Sequence, residues 1–368
     1  MNHSTTSMRG MSLIELMIAL TIGMVMIAAV GYAYLGGSAA YRQQEALARM
    51  QEGARFAFET MTYDIRMAGF TGCRAETSVN VLNGTNWFGN LYGQPLVGYE
   101  TGAAPASISG TIVAGDSLQV LRADNSKEYV VDSHNPTSAQ FQLSAPHDLM
   151  EGEILVATDC SHSVTFQMTN VNNNNTVSTV NHNTGGSQTP GNCTKGFGQS
   201  APGSGVPLCT ANGVDYTFNP GSRVMRMSGN IYFIRNNPNG VPSLYRLRLN
   251  QSGGNAGTVA EELVEGVEDM QITYGVDTST PAVCADNDGV VDTYVTASNV
   301  PATAPCVNDE DDWKKVLSVR IRLLMRTQDG IASQPQPYFY TDPVVATTPA
   351  DRRLRKVFTT TIAVRNRL

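Results

Sequence analysis

The stretch that decides the fold is RGMSLIELMIALTIGMVMIAAVGYAYL, which occupies residues 9–35. From Leu13 to Leu35 it is apolar apart from small residues, one threonine and a single charged side chain, Glu15. These 23 residues would reach about 34 Å as a helix. That length is enough to cross the apolar core of a bilayer. The sequence therefore predicts a membrane-spanning helix close to the amino terminus.

The same stretch has a second interpretation, as a secretory signal that is removed after export. Arg9 would then be the basic region and Ser38-Ala39-Ala40 the cleavage site. Two observations count against it. A charged side chain costs ~2.5–3.5 kcal/mol in the middle of a bilayer, and a signal gains nothing from Glu15. The apolar run is also longer than the roughly 7–15 residues of such signals. We therefore favour a helix that the mature protein keeps.

The junction Arg9-Gly10-Met11-Ser12-Leu13-Ile14-Glu15-Leu16 resembles the class III signal of type IV prepilins. In that family a dedicated prepilin peptidase cuts after the glycine and methylates the new amino terminus. The resemblance implies that Gly10 ends the leader, that Met11 is the methylated first residue, and that Glu15 is the characteristic carboxylate of the mature chain. Many members have phenylalanine where this chain has Met11, although other apolar residues occur there.

The chemistry of Glu15 also follows from its position. Cleavage after Gly10 would free a cationic amine on Met11, four residues before the carboxylate and near the positive end of the helix dipole. The amine of a neighbouring subunit could neutralise Glu15 equally well and would then set the axial register of assembly. The alternative is an accidental acid near the membrane surface. We expect an assembly salt bridge and no catalytic role.

An amphipathic helical segment follows the apolar run directly. Beyond Gly36-Gly37, apolar residues recur in steps of three and four, which is the spacing of one helix face. They are Leu47, Met50, Ala54, Phe58, Met61, Ile65 and Ala68. We expect one helix from about Met11 to Ala68, roughly 85 Å long. After the leader at residues 1–10, residues 11–36 would lie in lipid and then in the core of a filament, and residues 37–68 would pack on a soluble head.

Residues 69–368 are predicted to form a head of strands and loops. In Val319–Arg326 the apolar residues Val319, Ile321, Leu323 and Met325 share one face, and arginines take three of the four positions on the other, which is the period of a half-buried strand. Further candidates are Tyr245–Leu249, Asn230–Arg235, Met270–Val276, Val357–Val364, Ser117–Arg122, Glu128–Val131 and Glu153–Ala157. Residues 169–207, rich in Asn, Gly, Ser and Thr, are expected to be a loop-rich insertion or an exposed hairpin. The predicted fold class is α+β, with a long amino-terminal helix on a mainly antiparallel sheet, as in type IV pilins.

Both ends of the chain resemble PilW, a minor pilin of type IVa pili. The resemblance is carried by Tyr63–Phe70 with Gly72-Cys73, Leu263–Glu268, Tyr274–Asp277, Trp313 with Val319–Leu324, and Val357–Thr361 with Leu368. It implies a low-abundance subunit that primes pilus assembly, sits at the tip, and supports pilus biogenesis, twitching motility and adhesion. The protein would start as a single-pass inner-membrane protein with a periplasmic head. Pseudopilin J of type II secretion has a similar plan and stays the alternative.

The resemblance also implies the partners. They are other minor pilins, the major pilin, the inner-membrane assembly platform and the prepilin peptidase. The formal net charge of −7 gives no electrostatic reason for the surface as a whole to bind nucleic acid. The 34 glycines and 17 prolines indicate many turns, so strands should outnumber helices in the head.

Six cysteines without C-x-x-C spacing favour disulfides in an oxidising compartment over a zinc site. The sequence alone does not choose among the possible pairings. Closeness along the chain favours two pairs and leaves a third, and these are Cys284 with Cys306, Cys193 with Cys209, and Cys73 with Cys160.

Two other patterns could carry chemistry. Asp286, Asp288 and Asp292 have the spacing of a calcium loop, but Cys284 stands where the first ligand of an EF-hand would be and the closing Glu is missing. A solvated turn between strands is the favoured interpretation, so calcium is a weak candidate and no other cofactor is expected. The basic residues Arg352, Arg353, Arg355, Lys356, Arg365 and Arg367 could contact acidic partners or DNA, although charges on edge strands usually keep a surface soluble.

Motifs for catalysis are missing from the sequence. The histidines do not have H-E-x-x-H spacing, and there is no G-x-S-x-G, phosphate loop or nucleotide-binding fingerprint. We therefore expect a structural protein and not an enzyme.

Overall fold

A computed structural model describes residues 11–101, 103, 105, 107–108, 111–144, 146–173, 178–252, 255–277, 289–300, 312–340 and 345–365. Over these residues the chain forms one long α-helix and seventeen β-strands, joined by turns and short 3-10 helices. The strand pairings are antiparallel except for one. The α+β class, with the long helix at the amino-terminal end, is therefore confirmed.

The helix, α1, comprises Leu13–Arg66. It begins two residues later than predicted because Ser12 is extended, with φ −72° and ψ 151°, and acts as the N-cap. At the other end Gly69 has a φ of +76°, in the left-handed region that favours glycine. Its N–H donates to the carbonyl of Leu121 at 2.9 Å, so the chain leaves the helix directly onto the sheet.

The strands are numbered in chain order. Their bounds are β1 Thr77–Asn80, β2 Leu96–Tyr99, β3 Ala114–Asn135, β4 Gln140–Leu143, β5 Ile154–Thr158, β6 His162–Gln167, β7 Asn170–Asn173, β8 Ser178–Asn181, β9 Arg223–Asn236, β10 Pro242–Ser252, β11 Asn255–Glu265, β12 Val267–Val276, β13 Thr293–Val295, β14 Val316–Arg326, β15 Tyr338–Phe339, β16 Ala346–Thr347 and β17 Arg355–Ala363.

Two long strands, β3 and β9, hold the head together. They pair along most of their length, with Val120 opposite Asn230. At the end near α1, β2 adds to β3, and β10 followed by β11 adds to β9. At the far end, β4, β8 and β7 extend the β3 side, while β5, β6 and β1 extend the β9 side. The sequence predicted β3 as two strands, but an irregularity between Asp124 and Glu128 lets one strand continue.

A second sheet, in the order β13-β12-β14-β17, packs with α1 and the near end of the first sheet around the main core. The predicted apolar face of β14 is fully buried there at Val319, Ile321 and Leu323. On α1 the predicted face supplies Ala54, Met61 and Ile65, and Ala68 follows just after the helix; each is at most 2% exposed. Both faces are therefore confirmed, and β17 forms an edge of this sheet.

A second hydrophobic core fills the far end of β3 and β9. It contains four stacked or tilted phenylalanines, Phe141, Phe166, Phe197 and Phe218. Residues 169–207 contribute to this core, since Phe197 is 1% exposed and His182 is fully buried. The expected hairpin is present as β7 and β8. The segment also contributes to the interior of the head, which the expectation of a loop-rich insertion or an exposed hairpin did not include.

Two histidines sit inside the second core. The Nδ1 of His134 accepts from the N–H of Phe218 at 3.2 Å, and its Nε2 lies 3.0 Å from the Nε2 of His182. His134 must therefore carry its hydrogen on Nε2 and donate it to His182. Burial lowers the pKa of His134 to about 4. Burial, together with the neighbouring His134, lowers the pKa of His182 well below its ordinary value. Both imidazoles are neutral at pH 7.

We predict that this pair makes the head sensitive to acid. The pKa values in the folded protein lie below the unfolded value of about 6.5, so the unfolded chain takes up protons first as pH falls. The stability that the neutral pair contributes is complete above about pH 6.5 and is lost between about pH 6.5 and 4. Urea unfolding at pH 7.5 and 5.0 measures the loss. Imidazole NMR signals of His134 and His182 that titrate near pH 6.5 in the folded protein would contradict the prediction.

Candidate functional site

The amino-terminal end of α1 is closed by a reciprocal cap. The backbone N–H of Ser12 donates to Oε2 of Glu15 at 3.0 Å, and the Oγ of Ser12 accepts from the backbone N–H of Glu15 at 3.3 Å. This is a capping box, in which both residues satisfy a free backbone donor of the first turn. Gly10 lies outside the described residues, and Met11 is immediately before the cap. Glu15 therefore has a local structural role that the sequence argument did not foresee.

The ion pair predicted for Glu15 belongs to the processed protein. In the uncleaved chain the nitrogen of Met11 is a peptide nitrogen, so no cationic amine exists beside the carboxylate. Glu15 lies in the first turn of α1, where the helix dipole favours an acidic side chain. Cleavage after Gly10 would place the new amine one residue before the cap.

The first half of α1 presents a continuous apolar surface. Ile27, Val30 and Tyr34 are 74%, 68% and 74% exposed, and the most apolar 18-residue window of the helix has a mean hydropathy of 2.5 with none of it buried. Among the described residues, α1 is the one helix long and apolar enough to cross a membrane. Such a surface is unfavourable in water by about 25 cal/mol per Å², so lipid or other helices must cover it.

A buried carboxylate joins the second half of α1 to the head. Asp64 is 3% exposed and accepts three hydrogen bonds from the paired strands β3 and β9. Arg122 Nε donates to Oδ1 at 3.0 Å, and Oδ2 accepts from Asn230 Nδ2 at 2.7 Å and from the Tyr232 hydroxyl at 2.6 Å. The three donors occupy alternate positions along β3 and β9, so their side chains point to the same face of the sheet. The cluster fixes the rotation and height of α1 on the head.

The surroundings of Asp64 keep its charge paired. Arg122 is itself 7% exposed, and its guanidinium lies 4.8 Å from the centre of the Tyr63 ring. The pKa of Tyr232 is raised well above its ordinary value by burial and by the negative charge of Asp64, so its hydroxyl stays a donor. A carboxylate that receives charged and neutral donors on both oxygens is tolerated in a low-dielectric interior.

Asp64 was not singled out from the sequence as a functional residue, although a signal for it exists. It lies three residues after Met61 and seven after Ala57, so it falls on the apolar face of the amphipathic segment. An acid on the buried face of a helix requires a buried partner. Arg122 gives the matching signal, as a charged residue that follows the alternating apolar positions Leu118 and Val120.

Two disulfides link parts of the head. Cys73, just after α1, is bonded to Cys160 between β5 and β6, and Cys193 is bonded to Cys209. Both are pairings that the sequence analysis favoured. Cys284 and Cys306 lie outside the described residues, so their pairing stays a prediction.

The calcium candidate is not assembled by the described residues. Asp286 and Asp288 lie outside them, and Asp292 is an exposed residue just before β13. Within the described ranges, no three His, Cys, Asp or Glu side chains are placed to hold a metal ion. Calcium binding therefore stays a weak prediction.

Two of the basic carboxy-terminal residues, Arg353 and Arg355, are held by contacts within the head, whereas Arg352, Lys356 and Arg365 are exposed. The guanidinium of Arg355 donates to both carboxylate oxygens of Glu268, at 2.6 and 3.1 Å, and to both of Asp351, at 2.8 and 3.0 Å. Arg353 donates to the carbonyl of Gln328 at 2.8 Å. These arginines stabilise the edge strand β17, while Arg367 lies outside the described residues. The interpretation of the cluster as a structural feature of an edge is supported for Arg353 and Arg355.

Comparison with known families gives two matches. The family model described as "Prokaryotic N-terminal methylation motif" matches residues 6–31, and the family model described as "Type IV Pilus-assembly protein W" matches residues 231–366. No curated protein and no solved structure matches the chain. A methylation motif that leads into an exposed apolar helix, with a β-sheet head on the same helix, defines a type IV pilin-like protein with a membrane anchor.

The second match gives the particular family. Residues 231–366 match the PilW family, and this match together with the methylation motif supports a PilW-type minor pilin. The matched range contains the segments Leu263–Glu268, Tyr274–Asp277 and Val319–Leu324 that carried the sequence resemblance. This family consists of structural pilin-type proteins, and its members assemble with other components of the pilus.

We predict that Asp64→Asn destabilises the head by ~3 kcal/mol, because Arg122 loses its buried carboxylate partner at 3.0 Å and keeps the more exposed Asp124 at 3.5 Å. Urea unfolding at pH 7.5 measures the change. The matched control is Glu59→Gln, which breaks the exposed pair with Arg55 on the same helix at 2.8 Å. This control should lose less than about 1 kcal/mol. Equal losses for the two variants would show that the buried pair does not hold α1 on the head.

Proposed function

We propose that this chain is a minor pilin that primes assembly of a type IV pilus and stays at its tip. In this proposal it enters the inner membrane as a prepilin through α1, with its head in the periplasm. The prepilin peptidase cuts after Gly10 and methylates Met11, and α1 then leaves the bilayer for the filament core. One observation carries the proposal. The first half of α1 is apolar and uncovered, while the second half is held in the head by Asp64.

The partners follow from the two halves of the molecule. The exposed apolar half of α1 needs the helices of the major pilin and of other minor pilins to replace lipid when a filament forms. The head would contact other minor pilins and the inner-membrane assembly platform. Pilus biogenesis, twitching motility and adhesion are the processes that this role would support. The match to a pilus-assembly family favours this proposal over the pseudopilin of a secretion system.

Processing gives a direct prediction. The mature protein purified from membranes should begin at N-methyl-Met11, as measured by intact mass and amino-terminal fragment ions. Gly10→Asp should abolish cleavage and leave the full chain in the membrane fraction, because the peptidase site is lost. A mature chain that begins near Tyr41 would contradict the proposal, since it would lack the helix on which assembly depends.

The role of the Glu15 charge can be separated from its role in the cap. Glu15→Gln keeps an oxygen that can accept from the Ser12 N–H, whereas Glu15→Ala removes both the cap and the charge. We expect both variants to insert in the membrane. Both should be depleted from sheared pili by roughly tenfold or more, because the ammonium of the partner terminus is left unpaired in an apolar environment.

Quantitative immunoblots of sheared pili and of membranes measure the fraction of each variant that is incorporated into pili. Glu45→Gln is the matched control, because it removes an exposed acid that pairs with Arg49 on the same helix at 2.7 Å. It should assemble like the unaltered protein. Normal incorporation of Glu15→Gln together with loss of Glu15→Ala would show that the cap matters and that the ion pair does not.

A further inference from the structure

A concave pocket opens on the face of the first sheet that is turned away from α1. Its volume is about 610 Å³. Its walls are the connection between β1 and β2, the end of β2 at Tyr99, and Gln119 on β3. The face is identified by alternation along β3, because Leu118 and Val120 belong to the main core whereas Leu121 belongs to a separate cluster. The pocket is therefore separate from the helix and its junction.

Two aromatic residues form the frame of the pocket, and a buried amide holds them in place. Gln119 is 3% exposed. Its Nε2 donates to the carbonyl of Trp87 at 3.3 Å, and its Oε1 accepts from the Tyr99 hydroxyl at 3.3 Å. Both Trp87 and Tyr99 are half-buried, and the ring of Trp87 packs against Gly229, where a Cβ would lie 2.9 Å from the ring. The aromatic surfaces are thus fixed before any ligand arrives.

Amide side chains with unused hydrogen-bonding capacity line the rim. The Nδ2 of Asn90 donates to Oε1 of Gln94 at 3.4 Å, and the Nδ2 of Asn86 donates to the carbonyl of Asn83 at 3.0 Å. Within the described part of the chain, no bond engages Oδ1 of Asn86, Oδ1 of Asn90 or Nε2 of Gln94. The rim therefore offers acceptors and donors side by side.

The described residues that line the pocket include no Asp, Glu, Lys, Arg or His. Burial raises the pKa of Tyr99, so its hydroxyl also stays neutral. A charged ligand would gain no counter-ion here, and a purely apolar ligand would leave the amides without partners. The chemistry favours a neutral molecule with many hydroxyl groups and an apolar face.

We propose that this pocket binds a neutral saccharide. The hydroxyl groups of a sugar each donate and accept, which matches paired amide oxygens and nitrogens, and the C–H face of a pyranose can lie on an aromatic ring. Trp87 and Tyr99 supply the stacking surface, Asn86, Asn90 and Gln94 bind the hydroxyl groups, and Gln119 is a positioning residue. The inference gives a ligand class to the adhesive role, so its biological use rests on the proposed function. Saccharide binding by the purified protein does not depend on the proposed function.

The experiment uses the full mature chain in a detergent without a sugar headgroup. The chain has two tryptophans, and Trp313 is buried at 7% exposure, so Trp313→Phe leaves Trp87 as the only tryptophan. Lactose, maltose, chitobiose and mannobiose are titrated as probes, with sialyllactose as the charged comparison. We expect saturable change in Trp87 emission with at least one neutral disaccharide and weaker binding of sialyllactose.

The double variant Asn90→Ala/Gln94→Ala should weaken that binding by roughly tenfold or more, which is ~1.4 kcal/mol. Its thermal unfolding should be unchanged, because both residues lie at the rim. Gln336→Ala, an exposed amide outside the pocket, is the matched control and should bind as before. Absence of saturation with every probe, equal binding by the double variant, or tighter binding of sialyllactose would overturn the inference.

Pilus counts on cells that carry the double variant separate this inference from the assembly role. Normal pilus numbers with reduced attachment to a surface coated with the bound saccharide support the inference. Normal pilus numbers with unchanged attachment overturn its adhesive use. A failure of the assembly role would appear in the Glu15 variants, and the saccharide titration does not depend on it.

Discussion

The hydrogen bonds to Asp64 are the interaction on which the architecture depends. A helix that lies partly in lipid and partly on a head can slide or rotate unless a directional contact fixes it, because apolar packing alone tolerates small shifts. Asp64 supplies that contact through donors on both central strands, Arg122 on β3 and Asn230 and Tyr232 on β9. The same two strands extend into the second core. The position of the anchor is thereby coupled to the whole head.

The helix itself meets two different requirements along one uninterrupted hydrogen-bonded element. Its first half has apolar side chains on all sides, which suits lipid or a bundle of like helices. Its second half has a single apolar face, which includes Ala57 and Met61 and is buried in the head. No loop separates the two halves, so a movement of the first half of α1 along the helix axis must also move the head.

The sequence predicts the helix and the strands of the carboxy-terminal half well, for physical reasons that these segments share. Periods of 3.6 and 2 are both strong where one face is buried and the other polar, as in β14 and the second half of α1. The second core was missed because it combines short segments that are far apart in the chain, and because Val180 and Phe197 lie in a segment rich in asparagine and glycine. The capping role of Glu15 and the buried pair of Asp64 with Arg122 were missed as well. Both roles depend on partners that periodicity does not identify. Glu15 pairs with the N-cap residue Ser12, and Asp64 pairs with Arg122, more than fifty residues away in the sequence.

The disulfide between Cys73 and Cys160 joins two residues that are 87 positions apart in the sequence. It closes a covalent loop that begins just beyond α1. The strands β1 to β5 and the pocket around Trp87 lie within this loop. A pulling force applied between α1 and the chain beyond Cys160 would pass across the sulfur–sulfur bond. The strands inside the loop would then not carry this force. The disulfide thus shields β1 to β5 from a force along the chain, so that this part of the head would keep its shape.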